Sequence, residues 1–173
     1  SVAAKKLNIK TVIYSDDQHA PAQNFCDEFI FGDYKDKNII NDFVKKVNII
    51  TYEFENIPYE TLNEINKSKT VNPKPSINRL IQHRLAEKDF VNKLNIRTTR
   101  YVSIEKKSDL ESLSDFLPGI LKTTTMGYDG KGQYPIKSLN ELSGLNIDFS
   151  KEYILEKLVK LKKEISVIVT RFG

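Results

Sequence analysis

Short β-branched and aromatic runs alternate with amphipathic stretches through the first part of the chain. Lys10 to Tyr14 contains Thr-Val-Ile-Tyr and predicts a buried strand, closed by turn chemistry at Ser15-Asp16-Asp17. Glu28-Phe29-Ile30-Phe31 predicts a second strand, ended by Gly32-Asp33. Ile39, Ile40, Phe43, Val44 and Val47 recur at helical spacing and predict an amphipathic helix, after which Asn48 to Thr51 reads as the next strand. The next helix is predicted to start near Asn56 or Pro58. Alternating strands and helices argue for a parallel sheet with crossover helices, and in such sheets ligands gather at the carboxyl ends of the strands.

The pattern then changes. Val71-Asn72-Pro73-Lys74-Pro75 carries two prolines that favour extended backbone, and predicts an internal boundary. The first domain is accordingly 1–75 and the second 76–173. Ser76 is placed to cap a helix with Ile77, Leu80 and Ile81 as its apolar stripe, and Arg84 to Leu94 continues in helical pattern. Ser108-Asp109-Leu110-Glu111 has the form of a capping box opening another helix. Strands are predicted over Ile120 to Thr123, Gln133 to Ile136, Tyr153 to Val159 and Glu164 to Thr170, the last with Ile165, Val167 and Val169 on one face. The fold class is α/β, with strands concentrated in the second domain.

Composition narrows the class. Of 173 residues, 39% are hydrophobic and 29% charged, which suits a chain that buries a core and not a disordered one. No run is long and apolar enough to span a bilayer, and no signal peptide is visible. The lone Cys26 excludes an internal disulfide framework and fits a reducing, cytoplasmic setting. His19, His83 and Cys26 have no metal-site spacing. The net charge of +4 comes from lysines interleaved with acids, which describes a solvated surface better than a nucleic-acid face. The chain opens without Met in what reads as the end of a helix and stops at Arg171-Phe172-Gly173, so both ends read as cut.

Candidate chemistry concentrates in Gly127-Tyr128-Asp129-Gly130-Lys131-Gly132-Gln133, which holds three of the seven glycines. Converging backbone N–H groups and a lysine make a phosphate-gripping loop; the same glycines also suffice for a plain hairpin between two strands. The spacing is neither G-x-G-x-x-G nor G-x-x-x-x-G-K-[ST]. Two apolar runs, Ile120-Leu121-Lys122 and Tyr153-Ile154-Leu155-Glu156-Lys157, end in charged residues on either side of the loop. Glu53 and Glu55, one residue apart, point to the same side of an extended segment, toward a ligand or toward solvent.

The loop, Thr51-Tyr52-Glu53-Phe54-Glu55-Asn56 and Arg84-Leu85-Ala86-Glu87-Lys88 together resemble the ATP-grasp enzymes, specifically the 5-(carboxyamino)imidazole ribonucleotide synthetase family, over nearly all of the chain. The resemblance implies that ATP phosphorylates bicarbonate to carboxyphosphate, whose carboxyl group passes to the amine of aminoimidazole ribonucleotide in purine biosynthesis. It implies ATP contacts at Arg84, Lys122, Gly127, Gly130, Gly132 and Gln133. Glu156, Lys157, Leu158 and Val159 match the segment at the adenine, and Glu164 the carboxylate at the ribose. Catalytic roles fall to Tyr128 as a positioning donor, Asp129 as proton acceptor and Lys131 as a phosphate cation. Glu53 matches a substrate-binding position, and Glu55 reads as structural. Mg2+ is implied, with its ligands outside the chain, as is a homodimer. Many members carry glycine directly before Gly127 and some an arginine slightly earlier, where this chain has Met126 and Thr124. Another ATP-grasp ligase, such as the formate-dependent glycinamide ribonucleotide transformylase, and a non-catalytic nucleotide-binding module are the alternatives.

Overall fold

The computed structural model describes residues 2–127 and 132–169. The backbone forms two compact units, Ser1–His83 and Arg84–Gly173.

The first unit opens with helix α1 (Val2–Lys6) and strand β1 (Val12–Ser15), which pairs in parallel with β2 (Glu28–Phe31), Val12 opposite Glu28 and Ser15 opposite Phe31. Helix α2 (Lys37–Lys46) begins where the Asp36 carboxylate accepts from the N–H groups of Asn38 and Ile39, at 2.8 and 3.2 Å. This is the side-chain capping that an α-helix start requires. Strand β3 (Ile49–Thr51) pairs in parallel with β4 (Thr70–Asn72), and α3 (Tyr59–Ile65) crosses between them. Ile40 and Phe43 of α2 pack with Ile50, Leu62, Ile65 and Val71 as the core. Each such side chain, when fully buried, contributes about 1.5–3 kcal/mol.

The boundary expected after Pro75 falls inside this unit. Helix α4 (Pro75–Ile81) starts on Pro75, whose fixed φ suits the first helical position, so Ser76 lies within the first turn and caps nothing. Its buried residues are Pro75 and Asn78, while Ile77 is exposed, so the expected apolar stripe is not what seats it. Polar side chains do that. Asn78 Nδ2 donates to the Glu55 carbonyl at 2.9 Å, and Gln82 Nε2 donates to the carbonyls of Glu55 and Ile57, both at 2.7 Å.

The second unit is built on a four-stranded antiparallel sheet in the order β5-β8-β6-β7: β5 (Tyr101–Ile104), β6 (Gly119–Thr123), β7 (Gln133–Ile136) and β8 (Tyr153–Lys157). Helix α5 (Arg84–Lys93) precedes the sheet and α6 (Leu139–Gly144) lies between β7 and β8. One sheet face, with Ile104, Leu121, Ile136, Tyr153 and Leu155, packs with Leu110, Leu113 and Leu142 into the core.

Two expectations are corrected here. Residues 107–112 form a 3₁₀ turn, and Asp109 rather than Ser108 caps it, its carboxylate accepting from the N–H groups of Glu105 and Lys106 at 2.9 and 3.0 Å. No strand covers Glu164 to Val169, and Thr170 lies outside the described residues. Ile165, Val167 and Val169 do alternate, but all are strongly exposed. Alternation sets the face a strand would present; only pairing with a neighbour makes it a strand.

Candidate functional site

Register defines the second face of the antiparallel sheet. Glu156 on β8 stands opposite Tyr101 of β5 and Ile120 of β6, while Lys122 stands opposite Ile154 of β8 and Gln133 of β7. Lys122, Gln133 and Glu156 therefore share the face that turns away from the core. Helix α5 brings a further cation to it. Lys122 Nζ lies 2.8 Å from Glu156 Oε2, and Lys88 Nζ lies 3.2 Å from Glu156 Oε1. The three side chains are largely withdrawn from solvent, at 11% exposure for Glu156, 15% for Lys122 and 16% for Lys88. Burial by itself would raise the Glu156 pKa; the Lys122 hydrogen bond and the charges of Lys122 and Lys88 outweigh it and hold the carboxyl below its ordinary value. The result is a fixed carboxylate between two ammonium groups, with one positive charge in surplus.

Strand β6 ends one residue after Lys122, and the chain then runs through Thr124 to Met126 to the glycine-rich loop. Arg84, first in α5, secures its base: the Arg84 N–H donates to the Thr124 carbonyl at 2.8 Å and the guanidinium donates to the Gly127 carbonyl. Thr124 is buried, its hydroxyl donating to the Glu152 carbonyl at 3.3 Å. On the return side Gly132 has φ of +67°, and a Cβ there would meet Thr123 Oγ1 at 2.6 Å, so both conformation and space demand glycine. Met126 has φ of +56° at the opposite side of the loop, a conformation in which a side chain is strained. Tyr128, Asp129, Gly130 and Lys131 lie outside the described residues.

Strand β8 ends at Lys157, which stands opposite Gly119 of β6, so Leu158 and Val159, expected within the strand, lie just beyond it. The Lys157 N–H donates to Arg100 O and the Leu158 N–H to Pro118 O, both at 2.9 Å. The Lys157 ammonium turns to the carbonyls of Asp115 and Leu117, at 2.8 and 3.1 Å, away from the Glu156 face. Leu158 and Val159 are about half exposed, and Glu164 is exposed in the stretch beyond.

Glu53 belongs to the first unit. It lines a cavity of about 410 Å³ between β1 and β3, with Ser15, Tyr14, Tyr34, Tyr52 and apolar side chains around it. Tyr14 packs edge-on to Tyr34 at 5.3 Å between ring centroids and donates its hydroxyl to the Asp33 carbonyl at 2.5 Å. Burial, with the charges of Asp36 and Asp33, pushes its pKa up to about 12, so it stays a protonated donor at neutral pH. Glu55 contributes the backbone carbonyl that seats α4, a structural part.

Among the described residues no group of three or more His, Cys, Asp or Glu sits together to hold a metal ion. Glu156 directs both oxygens to lysines. The described residues therefore offer no protein-only cage for a magnesium ion.

Sequence reasoning brought Lys122, Gln133 and Glu156 to one place and missed Lys88. A signal existed: Lys88 follows Arg84 by four residues, so both occupy one side of α5. What the spacing does not carry is the strand to which that side turns.

Residues 1–82 match the ribonucleotide synthetase preATP-grasp domain, and residues 89–173 match the ATP-grasp domain. An N5-carboxyaminoimidazole ribonucleotide synthase of Staphylococcus aureus is 31% identical over 172 residues, which cover 98% of this chain and 46% of that protein. A bifunctional purine synthesis protein purC/E of Dictyostelium discoideum is 34% identical over 178 aligned residues, covering 99% of this chain and 18% of that protein. The crystal structure of the Staphylococcus aureus N5-carboxyaminoimidazole synthetase complexed with ADP superposes with a TM-score of 0.85 at 29% identity, covering 92% of this chain and 44% of that one. The Aspergillus clavatus N5-carboxyaminoimidazole synthase, in complex with ADP and 5-aminoimidazole ribonucleotide, shares the fold at a TM-score of 0.72 and 18% identity. The chain thus spans a little under half the length of the synthases it matches. Its two parts match the ribonucleotide synthetase preATP-grasp domain and the ATP-grasp domain in turn, and the chain is similar, over nearly its whole length, to the N5-carboxyaminoimidazole ribonucleotide synthases.

Proposed function

We propose that the protein to which this chain belongs is an ATP-grasp ligase that carboxylates 5-aminoimidazole ribonucleotide with bicarbonate at the expense of ATP, in purine biosynthesis. The observation that carries the proposal is the largely buried Lys122–Glu156–Lys88 cluster on the sheet face that turns away from the core, beside the strand end that feeds the glycine-rich loop, in a chain similar to a synthetase whose structure holds ADP. Phosphoryl transfer needs mainly positioning and charge stabilisation. Lys122 and Lys131 supply positive charge to phosphate oxygens, and Gly127, Gly130, Gly132 and Gln133 are further ATP-binding residues. Arg84, which holds Thr124 and Gly127 by their carbonyls, adds a further ATP contact.

Adenine lies against the segment after Glu156. Because the N–H groups of Lys157 and Leu158 are committed to carbonyls, the Lys157 carbonyl and the Val159 N–H form the donor–acceptor pair for its edge. Glu164 takes the ribose hydroxyls. Glu53, at the cavity of the first unit, takes the ribonucleotide substrate. Asp129 accepts the proton of the attacking amine and Tyr128 positions it. Mg2+, when bound, neutralises the phosphates, and its ligands are not assigned among the described residues. A homodimer and a cytoplasmic setting, in keeping with the free Cys26, complete the reading.

The test is ADP formation by the intact protein with ATP, Mg2+ and bicarbonate. Aminoimidazole ribonucleotide should stimulate it strongly, and formate plus glycinamide ribonucleotide should not. ATP binding without stimulation by aminoimidazole ribonucleotide would overturn the acceptor assignment.

A further inference from the structure

The structure assigns Lys88 a role in the nucleotide site: it is a positioning residue that stays with Glu156 as a permanent counter-ion, so that Lys122 is released to meet the phosphates of a ligand. This rests on the nucleotide reading above.

The two lysines take different oxygens of Glu156 and do not compete for one. They are not equivalent. The Lys88 ammonium also sits 5.3 Å from the centroid of the Tyr101 ring, within range of a cation–π attraction. That ring is held in turn. Its hydroxyl donates to Asp89 Oδ1 at 2.5 Å and accepts from Asn92 Nδ2 at 3.0 Å, and Asn92 Oδ1 accepts from the Thr98 hydroxyl at 3.2 Å. Asp89 and Asn92 lie on α5 with Lys88, so the ammonium and the ring beneath it are fixed by one helix. Lys122 is placed otherwise. It stands on β6 one residue before the strand ends, next to the glycine-rich loop, and among the described residues Glu156 is the group its ammonium meets.

Charge counting gives the consequence. Two ammonium groups on one carboxylate leave a surplus cation that a polyanion can draw away. When Lys122 turns to phosphate, the Lys88–Glu156 pair that remains is neutral. Without Lys88 the same movement strands a withdrawn carboxylate, which is strongly unfavourable. Lys122 is then locked to Glu156. Lys88 therefore acts on phosphate binding through Glu156, without touching the ligand.

The experiment compares the intact wild-type protein with Lys88→Met, Lys88→Arg and the double variant Lys88→Met with Glu156→Gln, measuring ATP affinity by titration calorimetry. Circular dichroism verifies folding, and Lys88→Gln replaces the methionine variant if that one fails to fold. Lys88→Met should bind ATP about tenfold or more weaker than wild type. Adding Glu156→Gln should recover most of the loss, because no carboxylate is then left to hold Lys122, and Lys88→Arg should bind near wild type. If Lys88→Met keeps wild-type affinity, or if the double variant binds no better than the single one, Lys88 is only a fastening between helix and sheet and the assignment is wrong. If the wild type itself binds no ATP, the nucleotide reading fails together with it.

Discussion

Replacing Glu156 by glutamine removes the negative charge between two withdrawn lysines while keeping the side chain's shape. At the observed 2.8 and 3.2 Å, each Glu156–lysine attraction is about 5–6 kcal/mol gross in a surrounding of intermediate polarity. Most of that offsets desolvation of three charges and the repulsion between the lysines. Breaking a buried pair by removing one partner costs about 3–5 kcal/mol, and the residual exposure here lowers the expectation to about 2–3 kcal/mol. Urea unfolding followed by far-UV circular dichroism is the suitable assay, since an uncharged denaturant leaves the ion pairs unscreened. The pH dependence supplies an independent check with a definite sign. Glu156 is held below the ordinary carboxylate value of 4.5, so its contribution is complete above that value and is lost as pH falls through the lower folded-state value. The difference between wild type and Glu156→Gln should be level from about pH 5 to 8 and shrink at more acidic pH. A difference below about 0.5 kcal/mol at neutral pH, or one that persists undiminished into strong acid, would refute the reasoning.

Two glycines of the second unit predict opposite outcomes. A Cβ on Gly119 would meet the Phe116 and Glu156 carbonyl oxygens at 2.6 and 2.8 Å, both backbone atoms, so Gly119→Ala should destabilise by about 2–3 kcal/mol in urea unfolding. Gly144, which ends α6, has nothing within 4 Å of that position, and Gly144→Ala should stabilise by about 0.5 kcal/mol or more. Met126 is exposed and has φ of +56°, so Met126→Gly should raise the unfolding midpoint by a free energy of about 0.5–1 kcal/mol, the relief of strain exceeding the entropy that glycine adds to the unfolded chain. Unchanged or lowered stability in Met126→Gly would show that the left-handed residue carries no strain.

Much of the site was legible because it depends on local pattern. Apolar runs ending in Lys122 and Glu156 announced β6 and β8, and glycine at 132 announced a conformation that no side chain fits. The helix from Arg84 and the strand from Gln133 likewise follow from periodicity. Short elements escaped. Val71 and Asn72 read as part of an internal boundary because of the prolines beside them, although Pro73 lies beyond the last paired residue of β4 and leaves the pairing with β3 intact.

What the sequence determined by itself is the set of segments and the chemistry they carry: alternating units, then strands, with a cationic strand end, a glycine-rich loop and a carboxylate in order. Antiparallel pairing of β6 with β8 decided that Lys122 and Glu156 share a face, since register is a relation between distant segments. The seating of α5 decided that Lys88 completes the cluster, because a lysine on a helix is a surface cation until a particular strand lies beneath it. Tertiary contact likewise placed α4 in the first unit through Asn78 and Gln82, and left Glu164 to Val169 unpaired despite an alternating pattern. Periodicity fixes how a segment presents its side chains; only the other segments it meets decide what those side chains do.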